Sequence, residues 1–369
     1  LNLKSNKLFL LIVLGILLNS CQIGRFVFYN FADIKDYKKF SSRALKAPEQ
    51  KFSFEIAAKI KSPKTITSKN NKDINFDDFI KDHKSVAFLI IQNDSICYEK
   101  YFKGYSEASV VPSFSMAKSV TSMLIGCAID DGLIKSVDEP ITNYLPQLQK
   151  NGLDKITIKQ LLQMTSGIKF NESYFNPFGH AASFYYGRNL RKSVDKLKLK
   201  DEPGTKFNYI SGNTQVLGMI LEKALKGKTI TDYLQEKIWQ PLGMEYDASW
   251  SIDKNKNGVE KTFCCLNARA RDYAKLGRLY LNKGNWNGKQ IVSSNWVNES
   301  TKIDTSNGSA AFYQYQWWIL GKEGDYMAQG ILGQFIYVHP AKNLIMVRLG
   351  KNTGKIQWWQ FFQKIAEMY

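Results

Sequence analysis

Three short stretches carry residue types that could do covalent chemistry together: Ser115-Met-Ala-Lys118, Tyr209-Ile-Ser211 and Gln329-Gly330-Ile331-Leu332-Gly333-Gln334. A hydroxyl, an amine and a phenol are the parts needed for acyl transfer through serine without histidine. Residues three apart on a helix share a face, about 5 to 6 Å from each other, so Lys118 would stand beside Ser115. With Ser115 in the first turn, free backbone N–H groups and the helix dipole would favour the negative charge that grows during acyl transfer. Lys118 must shed a proton to act as a base. Its pKa therefore has to fall from about 10.4, which a mostly dry cleft or a neighbouring cation would bring about. A phenol has a reference pKa of about 10, so Tyr209 and Lys118 could share a proton at little cost once adjacent.

The bare serine-lysine spacing does not discriminate, since it recurs at Ser166/Lys169, Ser193/Lys196 and Ser251/Lys254. Only Ser115 follows a pair of strands and opens an apolar period, with Val120, Leu124, Cys127 and Ala128 at helical spacing and Gly132 as the stop. Upstream, Phe76, Phe79 and Ile80 mark a short amphipathic helix. Val86 to Gln92 reads as a strand, Asn93-Asp94 as a turn, and Ser95 to Phe102 as a returning strand. Helical stretches follow at 158–164, 213–227, 232–239 and 268–283. Strand character returns at 316–320, 335–339 and 344–349, before an aromatic helix at 357–368. This order predicts an α/β fold of the α+β type: a central antiparallel sheet built from both chain ends, flanked by helices, with a mostly helical lobe at about 133–265 inserted. A cleft would lie between sheet and lobe.

At 369 residues and 44% apolar composition the chain can bury a large core. Its 51 basic and 33 acidic residues give a net charge of +18, mostly from dispersed lysines. Without zinc-finger spacing, an RNP-like pattern or an arginine cluster, this reads as a solvated basic surface, and no nucleic-acid partner is expected. Three histidines and no clustered cysteines leave no metal site. Cys97 and Cys127 read as buried thiols, and no structural disulfide is expected at Cys264 and Cys265.

The first 21 residues have the order of an export signal: Lys4 and Lys7, then the apolar run Leu8 to Leu18, then Asn19, Ser20 and Cys21. Leu18-Asn-Ser-Cys21 resembles a bacterial lipobox, which implies lipidation of Cys21 and a periplasmic or membrane-attached protein. An uncleaved N-terminal anchor is the alternative, although this apolar run is short for a span of roughly 20 residues. Leu1 is read as a start residue from a rare start codon. Residues 22–75 read as a tether or wrapping arm, and 76–369 as the main domain.

Phe114-Ser-Met-Ala-Lys-Ser-Val-Thr-Ser122 resembles the active-site segment of penicillin-recognising serine enzymes, in the branch of class C β-lactamases, D-alanyl-D-alanine carboxypeptidases and esterases. Further matches come in the family's order: residues 158–167, 202–218, 239–244 and 270–277, so the resemblance spans about 76–366. It implies a β-lactamase/transpeptidase-like fold. Motif by motif, it implies that Ser115 is the acylated nucleophile, Lys118 its general-base partner and Tyr209 the tyrosine that exchanges protons with Lys118 and the leaving group. The backbone N–H groups of Ser115 and Ile331 would form the oxyanion hole, with Gly330 letting substrate approach the strand edge. No cofactor is implied.

The departures bear on substrate. Ala328 stands where β-lactamases usually carry the lysine of Lys-Thr-Gly, Gln329 takes the hydroxyl position, and Ser211 replaces a frequent asparagine. With Tyr315-Gln-Trp-Trp318, these residues are more similar to the 6-aminohexanoate-dimer hydrolase and esterase branch, which implies a small carboxylic ester or amide substrate. A D,D-peptidase or weak β-lactamase acting on wall peptides or β-lactams is the second reading, and a non-catalytic wall-associated lipoprotein the third. Ser211, Gln329, Gly330, Phe178, His180, Tyr186 and Trp317 are candidate substrate contacts. Phe178, His180 and Tyr186 belong to the aromatic stretch 171–188, readable either as a lid or as lobe core. His180 is not expected to serve as a base, because Lys118 and Tyr209 supply that chemistry. The pattern sets neither the leaving group nor an oligomeric state.

Overall fold

The computed structural model describes residues 32–58, 62–67, 73–174, 176–321 and 323–369. Cys21 with the lipobox and Phe175 lie outside the described residues. Four short strands come first, β1 (Ser42–Leu45), β2 (Glu55–Ile56), β3 (Thr65–Thr67) and β4 (Asp73–Asn75). Asn75 then caps α1 (Phe76–Asp82) by accepting from Asp78 N at 3.2 Å. The hairpin of β5 (Ser85–Gln92) and β6 (Ser95–Tyr101) turns at Asn93 and Asp94, both at positive φ, as a tight two-residue connection requires. Strand β7 (Val111–Pro112) leads into α2 (Met116–Asp130).

The lobe contains α3 (Ile158–Leu162), α4 (His180–Tyr186), α5 (Leu190–Val194), α6 (Ser211–Ala224), α7 (Ile230–Leu234), β8 (Ala248–Ser251) and β9 (Leu266–Ala268). The chain returns through α8 (Ala270–Leu281), β10 (Asn285–Trp286), β11 (Lys289–Gln290) and α9 (Ser294–Thr301). It ends with β12 (Tyr313–Gln314), β13 (Trp317–Ile319), β14 (Tyr326–Gly330), β15 (Gln334–His339), β16 (Leu344–Gly350) and α10 (Trp358–Ala366).

The main sheet runs β12-β13-β14-β15-β16-β5-β6-β2 and is antiparallel except where β2 joins β6. Its centre is the seam between chain ends, where β16 pairs with β5 and Val347 faces Leu89. Both faces are covered, which is why β5 is apolar on successive positions rather than alternating with polar ones. Phe88 and Ile90 pack on one face with Phe76, Trp358, Phe361 and Phe362 of the two terminal helices. Leu89 and Ile91 belong to the opposite core, shared with α2 and α8. The aromatic C-terminus is thus mainly a cover for the sheet.

A smaller sheet, β1-β8-β9-β7, brings the arm onto the lobe, and the Tyr185 hydroxyl fastens it by donating to Asp36 Oδ2 at 2.9 Å. Cys97 and Cys127 are both buried. The expectation for the other pair is corrected: Cys264 and Cys265 form a disulfide, their Cα atoms 3.8 Å apart. Adjacent residues are within reach through the chain itself, so the spacing rules that identify ordinary disulfides are silent about them.

One contact ties the helix that carries Ser115 and Lys118 to its surroundings. Gly126 on α2 lies so close to α9 that a Cβ would stand 2.5 Å from Trp296 Cγ. Alanine favours an exposed helix over glycine by about 1 kcal/mol, but overpacking a core costs about 1–3 kcal/mol. We therefore expect Gly126→Ala to lower the urea unfolding midpoint; an unchanged or raised midpoint would contradict this packing.

Candidate active site

Ser115 is the junction between β7 and α2. The preceding Phe114 is buried with φ +45°, a conformation that a non-glycine residue holds only when its surroundings enforce it. Here Ser113 N donates to Leu266 O at 2.7 Å, Leu266 N donates to Ser113 Oγ at 3.2 Å, and the phenyl ring belongs to the main core. The helix starts at once, with Lys118 N donating to Ser115 O at 3.0 Å. Two further hydroxyls anchor α2: Ser119 Oγ donates to Gln316 O at 2.7 Å and Thr121 Oγ1 to Thr262 O at 2.9 Å. The helix is thereby bonded to both the sheet and the lobe.

Lys118 is 1% exposed. Its Nζ donates to Ser115 Oγ at 3.1 Å, Ser211 Oγ at 3.1 Å and Phe263 O at 2.9 Å. Burial pushes the amine down to about 8, against an opposing pull from Glu172. The Tyr209 ring centroid lies 5.3 Å from Lys118 Nζ. Burial holds its phenol above the ordinary range, against a lowering influence of Ser115. The expectation of two matched proton carriers is therefore modified: the site separates them, with an amine that can be neutral and a phenol that keeps its proton. Such an arrangement can withdraw the proton from a serine hydroxyl and offer another to a departing group.

The strand edge meets Ser115 at Gly330. A Cβ there would stand 2.4 Å from Ser113 O and 3.1 Å from Ser115 N, so only glycine fits this approach. The chain then turns through Leu332 and Gly333, both at positive φ. Gln334 Nε2 donates to Gly350 O at 2.7 Å and to Ile331 O at 3.3 Å, and buried Arg348 donates through Nη1 to Gly333 O at 2.6 Å. Ile331, which follows Gly330, is thus held in a braced turn.

The other expected contacts divide. Ser211 is buried at the N-terminus of α6, in the Lys118 cluster, and Gln329 is half-buried on β14 next to Gly330. Trp317 is fully buried on the far face of β13, stacked 4.3 Å from Tyr280. Its neighbour Trp318 packs on Tyr209 instead, 5.5 Å between rings, because successive strand residues face opposite sides. Tyr186 is buried edge-on against Tyr185 near the N-terminal arm, and Phe178 is 75% exposed. Neither joins the cluster. His180 stacks on Phe170 and accepts from Asn171 N at 3.1 Å; burial, and then Lys169, keep its pKa below the usual range.

Two participants went unnoticed in the sequence. Phe263 contributes a backbone carbonyl, for which side-chain identity carries no signal. Glu172 binds Ser211 twice: Ser211 N donates to Oε2 at 2.7 Å and Ser211 Oγ to Oε1 at 2.5 Å. It lies within the stretch read as aromatic, and its only signal was a single carboxylate among those rings.

A protein-family model described as Beta-lactamase matches residues 75–356. The 6-aminohexanoate-dimer hydrolase of Paenarthrobacter ureafaciens is 29% identical over 284 residues, covering 71% of each chain. A solved Bacillus anthracis structure provisionally described as a 6-aminohexanoate-dimer hydrolase superposes with a TM-score of 0.80 at 25% identity, covering 90% of this chain and 93% of its own. The fold is shared more distantly with a family VIII carboxylesterase, at a TM-score of 0.59, 19% identity, and coverage of 75% and 89%.

The close approach at Gly330 yields a direct check. We expect Gly330→Ala to fold, by circular dichroism, while losing roughly 100-fold or more in kcat/KM on an active ester, the scale of a lost oxyanion donor. Near-normal turnover would contradict this geometry.

Proposed function

The chain belongs to the Beta-lactamase family of serine hydrolases, and from that premise we propose that it cleaves a small carboxylic ester or amide through an acyl-enzyme on Ser115. The observation that carries the reading is the 3.1 Å bond between a desolvated Lys118 amine and Ser115 Oγ. Neutral Lys118 takes the Ser115 proton as Oγ attacks the substrate carbonyl. The backbone N–H groups of Ser115 and Ile331 receive the oxyanion, and Tyr209 passes a proton to the leaving group. Water then attacks the acyl carbonyl and loses a proton to the Tyr209 oxygen, and Ser115 Oγ departs with the proton held by Lys118, releasing the acid.

Support for an ester or amide comes from the strand edge. Ala328 is buried, so this position presents no cation to the carboxylate of a β-lactam or a terminal peptide. Beside Tyr209, Trp318 offers an aromatic wall backed by buried Tyr313, and Phe312, half exposed, stacks on Trp318 at 6.2 Å. These surfaces suit a neutral or apolar group. Export as a lipoprotein belongs to the same proposal and rests on residues 4–21 alone. Among the described residues no helix is long and apolar enough to cross a membrane.

A D,D-peptidase is the second reading, favoured by 23% identity over 215 residues to an Escherichia coli protein provisionally described as a D-alanyl-D-alanine carboxypeptidase, covering 52% of this chain and 49% of that one. Mass spectrometry after incubation with penicillin separates the two: a slow adduct at Ser115 supports the peptidase, and no adduct supports the ester or amide hydrolase. For the main proposal, a fluorophosphonate probe should label Ser115, and Ser115→Ala should abolish p-nitrophenyl ester turnover; full turnover in that variant would refute it. Because only the neutral amine is a base, activity should rise with pH through a midpoint near Lys118's value of about 8. A flat kcat/KM profile from pH 6 to 9 would contradict that role.

A further inference from the structure

Glu172 is a half-buried carboxylate to which that mechanism assigns no part. Both of its oxygens are already occupied. Oε2 accepts from Ser211 N at the start of the 14-residue helix α6, and Oε1 accepts from Ser211 Oγ at 2.5 Å and the Tyr174 hydroxyl at 2.8 Å. A carboxylate at a helix N-terminus is favourable, which accounts for its position but not for its connection onward. That connection runs through Ser211 Oγ to Lys118 Nζ at 3.1 Å, and from Lys118 Nζ to Ser115 Oγ at 3.1 Å.

A hydroxyl has one hydrogen to donate. Ser211 gives its hydrogen to Glu172, so toward Lys118 it can only accept. Phe263 O, a carbonyl, can also only accept. Two of the three hydrogen positions on Nζ are therefore fixed whether the amine is charged or neutral. The third faces Ser115: it holds a proton in the ammonium and the lone pair in the free amine. Were Ser211 free to rotate its hydrogen toward Nζ, it would compete with Ser115 for that lone pair.

We propose that Glu172 is a positioning residue for acyl transfer, fixing the Ser211 hydroxyl as an acceptor so that the proton-exchanging position of Lys118 is aimed at Ser115. This rests on the serine-hydrolase reading above and assigns no contact with substrate to Glu172. The carboxylate has an electrostatic consequence as well. Among the described residues it is the charged group that bears on Lys118, and it raises an amine that burial lowers. The other elements packed around Nζ present the protonated Tyr209 phenol, the Ser115 and Ser211 hydroxyls and the Phe263 carbonyl. Removing the charge while keeping the shape should lower the Lys118 pKa further, so a larger fraction would be neutral at a given pH.

The test is the pH dependence of kcat and KM on a p-nitrophenyl ester for wild type, Glu172→Gln and Ser211→Ala, each checked for folding by thermal melting. Glu172→Gln should reduce kcat by roughly tenfold or more through lost orientation, with KM little changed, and move the acid limb of kcat/KM to lower pH. Ser211→Ala keeps the carboxylate but cuts the link, and should reduce kcat without raising KM. A Glu172→Gln loss that is uniform in pH, with the limb unmoved, would mean that Glu172 only orders its loop and would overturn the proposal. Should Glu172→Gln fail to fold, an unchanged kcat in Ser211→Ala overturns it. Fluorophosphonate labelling of Ser115 in the wild-type sample separates either failure from failure of the underlying hydrolase reading.

Discussion

Removing one lysine amine from water is the constraint on which this site depends. An ammonium buried without compensation either distorts its surroundings or gives up its proton, and the second outcome is what a base requires. Buried Lys275 shows the contrasting solution: Asp272 and Glu245 each lie 3.3 Å from its Nζ. Those two carboxylates touch that amine directly. Among the described residues Lys118 hydrogen-bonds neutral acceptors alone, and the Glu172 carboxylate stands one hydroxyl away. Much of the surrounding architecture serves to maintain that difference. The hydroxyls of Ser119 and Thr121 hold α2 between sheet and lobe, the segment after α7 brings in Phe263 O, and the start of α6 brings in Ser211.

The second requirement is an approach between backbones that cannot drift. Ser115 follows a residue at positive φ, and β14 passes it where only glycine fits. Both features store conformational cost, and both are stabilised from behind, by β9 on one side and by Gln334 and Arg348 on the other. The Arg348 guanidinium is buried against Trp358, 3.8 Å from the ring, with burial lowering it to about 9. The aromatic C-terminal helix thus braces the turn after Gly330 as well as the core. In this arrangement Ala328 leaves the geometry intact while removing a charge, which is why the substrate reading moves toward esters and amides.

Elements that repeat a period were legible in the sequence. The helix after Ser115, the hairpin at Asn93-Asp94, the closing strands and the terminal helix all fall within a few residues of their expected limits. The motifs that mark Ser115, Lys118 and Tyr209 were equally visible, and the structure brings all three together. Facing direction was not visible in Gln316-Trp-Trp-Ile-Leu320, because an almost uniformly apolar run has no alternation to show which tryptophan faces Tyr209. For Phe178 and Tyr186 two readings stayed open for a related reason: aromatic density does not distinguish a pocket wall from lobe core or solvent-facing surface. Glu172 and the Phe263 carbonyl lay beyond reach altogether, since their importance comes from contacts across 39 and 145 residues.

The central claim is that Lys118 is an amine able to lose its proton near neutrality. The most direct measurement is a heteronuclear NMR titration of lysine side chains labelled with carbon-13 at Cε, with Lys118→Arg used to assign the resonance. A titration midpoint near 8 is expected, well below the lysine resonances of the exposed surface. A midpoint at about 10.4 or above, indistinguishable from a solvated lysine, would contradict it.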